Sequence, residues 1–199
     1  MAEIALGVSG GIGAYKSVEV ARRLQQAGHT VTAVMTESAC QFVGPVTFEA
    51  ITQQRVITDQ FSGGTNTNIE HIAMASRIDL LLVAPATANI IGKFANGIAD
   101  DFLSTLYLAT PAPVVIAPAM NSNMLVHEAV KQNTRVLVKR GVHVVDPGEG
   151  YLACGWAGKG RVAEPEDIVD AVTQLLVPGG SLVGHCVLVT AGPTYEDID

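Results

Sequence analysis

Leu6–Ser17 reads LGVSGGIGAYKS, and the reading of this stretch decides the fold. The apolar run Ile4–Val8 before and within it has the length and composition of a buried parallel strand. Apolar residues recur at helical spacing from Val18 to Leu24. A glycine-rich turn between strand and helix presents backbone N–H groups at a helix N-terminus, where an anion is favoured. Neither well-known phosphate motif fits. The dinucleotide fingerprint G-x-G-x-x-G places its third glycine at Lys16 when counted from Gly11, and its second at Ser9 when counted from Gly7. A P-loop requires glycine directly before Lys-Ser, and Tyr15 occupies that place. A tight βα turn without any ligand would carry the same residues, so the stretch alone leaves both readings open.

Working outward, strand-like runs recur at Val31–Met35, Leu80–Ala84, Val114–Ala117, Val142–Val145 and Val187–Thr190. Helical signals lie between them: Ser17–Ala27, Ala88–Ala95, Asp101–Ala109, Asn123–Gln132 and Glu166–Leu176, the last opened by Pro165. Alternation of this kind predicts an α/β fold, a Rossmann-like, doubly wound parallel sheet with helices on both faces. Ligands of such sheets lie beyond the carboxyl ends of the strands. Those ends carry the unusual residues of this chain: Ser9-Gly10-Gly11, Thr36-Glu37-Ser38, Pro85–Asn89 and Pro118–Asn121.

Composition narrows the function. The chain has 199 residues, 48% of them hydrophobic and 16% charged, which suits one well-buried domain. A net charge of −7 without a basic run argues against nucleic acid as a partner. No apolar stretch reaches membrane-spanning length, and no basic region precedes the first apolar run, so neither a membrane anchor nor a signal peptide is expected. Three cysteines, Cys40, Cys154 and Cys186, offer no disulfide framework and no zinc-site spacing, which fits a reducing cytoplasm and no metal.

Each remaining motif has a structural and a chemical reading. Thr87 and Asn89 in APATANIIGK either cap a helix or add a second anion cradle facing the first. Asn121 in APAMNSNM either caps the next helix or hydrogen-bonds a carboxylate in an otherwise apolar pocket. Cys154 in YLACGWAGKGR is a free surface thiol or a proton donor on a mobile glycine-rich loop, with Lys159 and Arg161 near it. His71 in IEHIAMAS is a packed side chain or a catalyst. Glu37 sits where a ribose diol is held in dinucleotide folds, and Asp100 with Asp101 is read as helix capping rather than a catalytic pair.

Taken in order, GVSGGIGAYK, EHI, PATAN, PAMNSNM and ACGWAGKGR resemble the homo-oligomeric flavin-containing cysteine decarboxylases. Among these they are most similar to the bacterial branch that acts on 4'-phosphopantothenoylcysteine in coenzyme A biosynthesis. The resemblance covers about residues 4–176 and rests on five motifs in sequence rather than one. The tail CVLVTAGPTYEDID is similar to the opening strand and nucleotide loop of phosphopantothenate–cysteine ligase. The resemblance therefore implies an FMN-binding decarboxylase domain over 1–177, a linker over 178–185 (PGGSLVGH) and the start of a truncated ligase domain over 186–199, with no ligase activity expected.

It also answers what phosphate the first turn would hold: the single one of FMN. By the match, Gly10, Gly11, Ile12, Thr36, Ser38, Thr87, Ala88 and Asn89 would enclose FMN, with Ala119 beside the flavin. His71 would handle the substrate thiol proton, Asn121 would bind the carboxylate, and Cys154 would return a proton. Met124 and Ala153 would line the substrate pocket. The substrate phosphate would meet Lys16, Lys159 or Arg161. The implied reaction oxidises the cysteine thiol to a thioaldehyde, loses CO2 into that electron sink, and re-reduces the ene-thiol to 4'-phosphopantetheine. The family implies a trimer, often grouped into a dodecamer, with the site at a subunit interface. The alternative is an FMN-binding relative acting on another cysteine-containing substrate, or a non-catalytic flavoprotein that binds a partner. One departure is Leu125, where relatives commonly have an aromatic residue.

Overall fold

The computed structural model describes residues 1–60, 70–151, 155 and 157–176. Ala153, Cys154, Trp156, Cys186, the expected linker, the Val187–Thr190 strand and the ligase-like tail lie outside the described residues. Five strands form one parallel sheet: β1 (Glu3–Val8), β2 (Thr30–Met35), β3 (Leu80–Ala86), β4 (Val114–Pro118) and β5 (His143–Val144). Their spatial order is β2-β1-β3-β4-β5. The first crossover runs one way from β1 and the later ones run the other way from β3. The topological switch point therefore lies between the carboxyl ends of β1 and β3, where open α/β sheets bind ligands.

Burial on both faces explains why these strands read as continuous apolar runs rather than alternating ones. Every residue of β3 and β4 is buried. One face of the sheet packs on α1 (Ala14–Gln26), α3 (Pro45–Thr52) and α9 (Pro165–Leu176), through Leu6, Val20, Leu24, Phe48, Leu82 and Ile168. The other packs on α4 (Glu70–Arg77), α5 (Ala88–Asn96), α6 (Phe102–Ala109) and α8 (Glu128–Lys139), through Met74, Leu81, Ile90, Phe94, Leu103 and Leu137. The doubly wound sheet expected from the sequence is thus the observed fold. No helix among the described residues is long and apolar enough to cross a membrane.

Three local features differ from the sequence reading. The helix expected over Asn123–Gln132 is two helices, α7 (Ser122–Val126) and α8, broken at an extended His127 whose Nδ1 accepts the Ala129 N–H at 3.2 Å. The short α2 (Glu37–Cys40), α3 and α4 carry too little periodicity to stand out, and α2 is one turn started by its Thr36 cap. Of the segment Tyr151–Arg161 read as a glycine-rich loop, the part Ala157–Arg161 is a strand, β7, paired antiparallel with β6 (Gly148–Tyr151). Its many glycines concealed the strands, since glycine is depleted in strands and contributes no alternation.

Candidate functional site

The switch point opens into a cavity of about 1160 Å³. Its floor is the turn after β1. The Cβ of any side chain at Gly10 would lie 2.3 Å from Ser38 Cβ and 3.0 Å from the Ser38 carbonyl carbon, so only glycine lets these two loops touch. The N-cap of α1 is Gly13, which has no side chain to bond the first-turn N–H groups. The Ala14 and Lys16 N–H groups donate instead to the Gly11 and Gly13 carbonyls, at 2.9 and 3.0 Å, and the positive end of this 13-residue helix dipole is a fitting place for an anion.

A hydroxyl joins this turn to its neighbour. Ser9 is 2% exposed. Its Oγ donates to the Pro85 carbonyl at 2.7 Å, accepts the Thr87 N–H at 3.1 Å, and lies 3.1 Å from Thr87 Oγ1. Thr87 in turn caps α5 through the Ile90 N–H at 3.4 Å. Sequence reading placed Ser9 among the residues at the strand ends but gave it no role. Its position directly before Gly10, at the end of a buried strand, was the available signal.

Gly10, Gly11, Ile12, Thr36, Ser38, Thr87, Ala88, Asn89, Ala119, Asn121, Met124 and Lys16 all line this one cavity. Residues far apart in sequence are gathered because the loops after β1, β2, β3 and β4 all leave the same edge of the sheet. Asn121 caps α7, its Oδ1 accepting the Asn123 N–H at 2.8 Å. That bond orients the amide and makes the other end its NH2, the donor type a carboxylate requires. The capping role expected of Asn121 is thus observed.

His71 stands elsewhere. It lies in the first turn of α4, half-buried, with its ring edge-on to Phe102 at 6.3 Å between centroids. It is not among the residues lining the cavity of its own chain.

Three cations reach the cavity, each with a carboxylate nearby. Lys16 is 6% exposed, and its ammonium lies 2.8 Å from Glu164 Oε2 and 3.5 Å from the Val162 carbonyl. The hydrogen bond from Lys16 holds the Glu164 carboxyl below its ordinary range. Lys93, which sequence reading missed, pairs with Asp100 at 2.6 Å and Asp101 at 2.7 Å. It falls one helical turn after Asn89 and so shares its face. Burial would raise Asp101, but hydrogen bonds from Lys93 and Ser104 prevail and hold it below its ordinary value. Asp101 caps α6 in a capping box with Ser104, the role expected of it. Arg161 is only loosely paired with Glu164, at 3.7 Å, with 42% of its side chain exposed. Among the described residues, no three His, Cys, Asp or Glu side chains form a metal-binding group.

The residues present fit a flavin mononucleotide. The glycine cradle and uncapped helix suit one phosphate, and the cavity exceeds the about 300–1,000 Å³ usual for one small molecule. That leaves room for a substrate beside a cofactor.

Comparison with known proteins agrees with this geometry. The chain is 52% identical to the coenzyme A biosynthesis bifunctional protein CoaBC of Bacillus subtilis (strain 168) over 198 residues, 98% of this chain. It spans about half the length of that relative, 49%. Among solved structures it resembles a cysteine-to-serine mutant of PPC decarboxylase complexed with pantothenoylaminoethenethiol, with a TM-score of 0.79 and 28% identity over 87% of this chain and 97% of that one. It also resembles the FMN-dependent cysteine decarboxylase SpaF, with a TM-score of 0.77 and 31% identity over 89% and 96% of the two chains. The Flavoprotein family matches residues 1–177, and the chain belongs to that family.

Proposed function

We propose that the chain binds FMN and decarboxylates 4'-phosphopantothenoylcysteine to 4'-phosphopantetheine, a step of coenzyme A biosynthesis carried out in the cytoplasm. The observation that carries this reading is the convergence of the uncapped glycine cradle, the Thr87–Asn89 loop and Asn121 on one cavity large enough for a cofactor and a substrate. Relatives support it: one is a bifunctional coenzyme A biosynthesis protein, and another carries an ethenethiol, the class of compound left when such a substrate loses CO2.

When bound, FMN supplies the redox step, accepting a hydride from the substrate and later returning it. The cradle Gly10–Ile12, with Thr36, Ser38, Thr87, Ala88 and Asn89, holds the cofactor, and Ala119 lies beside it. Asn121 donates its amide NH2 to the substrate carboxylate and orients the bond that breaks. Met124 lines the cavity, and by the family resemblance Ala153 contacts the substrate. Arg161, which is exposed and lines the cavity, is better placed than Lys16, which is buried against Glu164, to meet the substrate phosphate, while Lys159 is exposed but does not line the cavity. Cys154 delivers the final proton. His71 takes the thiol proton. Its position away from its own chain's cavity fits a homo-oligomer, trimeric or dodecameric, whose site is completed by the partner's His71.

The test is to purify the chain, load it with FMN and follow CO2 release from 4'-phosphopantothenoylcysteine. Release with formation of the saturated thiol supports the reading. A yellow protein that releases no CO2 moves the function to another cysteine-containing substrate or to partner binding. A Cys154→Ser variant is expected to keep FMN and release a product two hydrogens short of the normal thiol, detectable by mass spectrometry. Normal product at the normal rate removes Cys154 from the mechanism.

A further inference from the structure

Asn121 is flanked by two bonds to the same strand. The Met120 N–H donates to the Gly160 carbonyl at 2.9 Å, and the Ser122 hydroxyl donates to the Lys159 carbonyl at 2.8 Å. The chain neighbours on either side of Asn121 are therefore tied to consecutive residues of β7. Two glycines make the approach possible. A Cβ at Gly160, whose φ is +142°, would lie 2.2 Å from the Met120 carbonyl oxygen. A Cβ at Gly158 would lie 2.6 Å from Ser122 Oγ. Core packing holds this loop only before Asn121, through Ala119 and Met120, since α7 after it buries none of its residues.

From this we infer that Ser122 is a positioning residue for substrate-carboxylate recognition: by anchoring the Asn121 loop to β7, it holds the Asn121 amide at the point in the cavity where the acid is bound. The inference rests on the reading of Asn121 as the carboxylate donor. Ser122 itself does not touch substrate. A side chain that only stabilised the fold would weaken every ligand of the pocket alike. A side chain that aims Asn121 weakens only ligands with a carboxylate.

Two probes separate these cases on the FMN-loaded protein by calorimetry. One is 4'-phosphopantothenoylserine, which keeps the carboxylate and has no thiol to oxidise. The other is 4'-phosphopantetheine, which lacks the carboxylate. Ser122→Ala is expected to weaken the acid about fivefold, the size of one lost hydrogen bond, and to leave 4'-phosphopantetheine unchanged. Ser122→Thr keeps the hydroxyl and restores the acid. Gly160→Ala, which disturbs the other bond, shows the same selectivity. Equal weakening of both probes, or of neither, by Ser122→Ala overturns the inference. Asn121→Ala is the control for the reading beneath it: if that variant does not selectively weaken the acid, the role of Asn121 falls and the inference falls with it. Failure of the FMN-loaded wild-type protein to bind either probe rejects the substrate instead.

Discussion

The glycine cradle and the β6–β7 hairpin lie on the same cavity, but they are held by different means. The cradle grows out of β1 and β3, strands buried on both faces and joined at their ends by Ser9, and its first turn is pressed against Ser38 of α2 at Gly10. The hairpin has glycine at four described positions within its strands, Gly148, Gly150, Gly158 and Gly160. Its anchors are two hydrogen bonds to the loop around Asn121 and, just beyond the end of β7, the buried Val162 and Ala163 and the Lys16–Glu164 pair. A core fixes the first region, whereas the second meets the core only at its base and is otherwise held by a few separable bonds. A cradle of that kind suits a cofactor that stays bound, and a hairpin of that kind suits contact with a substrate that comes and goes.

Substitutions can break this contrast. The largest effect is expected at Gly10→Ala, because the new Cβ meets both a side chain and the main chain of Ser38. The cost is about 3 kcal/mol, at the upper end of overpacking, and the protein is expected to purify without flavin absorbance. A yellow protein with an unchanged melting temperature would show that the cradle yields as easily as the hairpin. Gly160→Ala follows, at about 2 kcal/mol for a side chain forced into a left-handed backbone against the Met120 carbonyl. Here FMN should be retained and turnover should fall. Loss of flavin in this variant would merge the two regions into one unit. Ser9→Ala comes third. It leaves the Thr87 N–H without its acceptor and the Pro85 carbonyl without its donor, at about 1–2 kcal/mol by thermal melting, with weaker FMN binding by titration. An unchanged FMN affinity would mean that the Ser9 hydroxyl does not set the distance between the two loops.

The same contrast explains what the sequence disclosed. The sheet was legible because its strands are buried on both faces and so appear as unbroken apolar runs such as Ile4–Val8 and Leu80–Ala84. The turn after β1 was legible because glycines between an apolar run and helical spacing read as a βα turn, whereas its ligand was not, since an empty turn would carry the same residues. Asp101 could be assigned to a cap from its place before an apolar helix. The hairpin was hidden because β7 owes its position to carbonyls that bond Met120 and Ser122, partners 37 to 40 residues earlier with no local trace. Lys16 looked available for a phosphate because sequence does not show that Glu164, 148 residues later, lies 2.8 Å from its ammonium. His71 was singled out only through a resemblance between motifs, and it is not among the described residues that line the cavity.

The smallest expected effect concerns that last pair and tests how firmly the hairpin is tied. The Glu164 carboxyl is held below its ordinary range by the Lys16 hydrogen bond, while in the unfolded chain it has its ordinary value near 4.5. A depressed folded value means stabilisation that is fully present above the unfolded value and disappears as pH falls through the folded one. Glu164→Gln is therefore expected to lower stability at pH 7 and to leave it equal to wild type in acid. The side chain is 54% exposed, so water screens the pair and the loss at pH 7 stays below about 1 kcal/mol, shrinking further in high salt. Thermal melts of the two proteins at pH 7 and at pH 3 decide it. A difference that persists unchanged at pH 3 would mean that Glu164 acts through packing rather than charge. The hairpin base would then be held much as the cradle is, and the contrast between the two regions would narrow to the two bonds that flank Asn121.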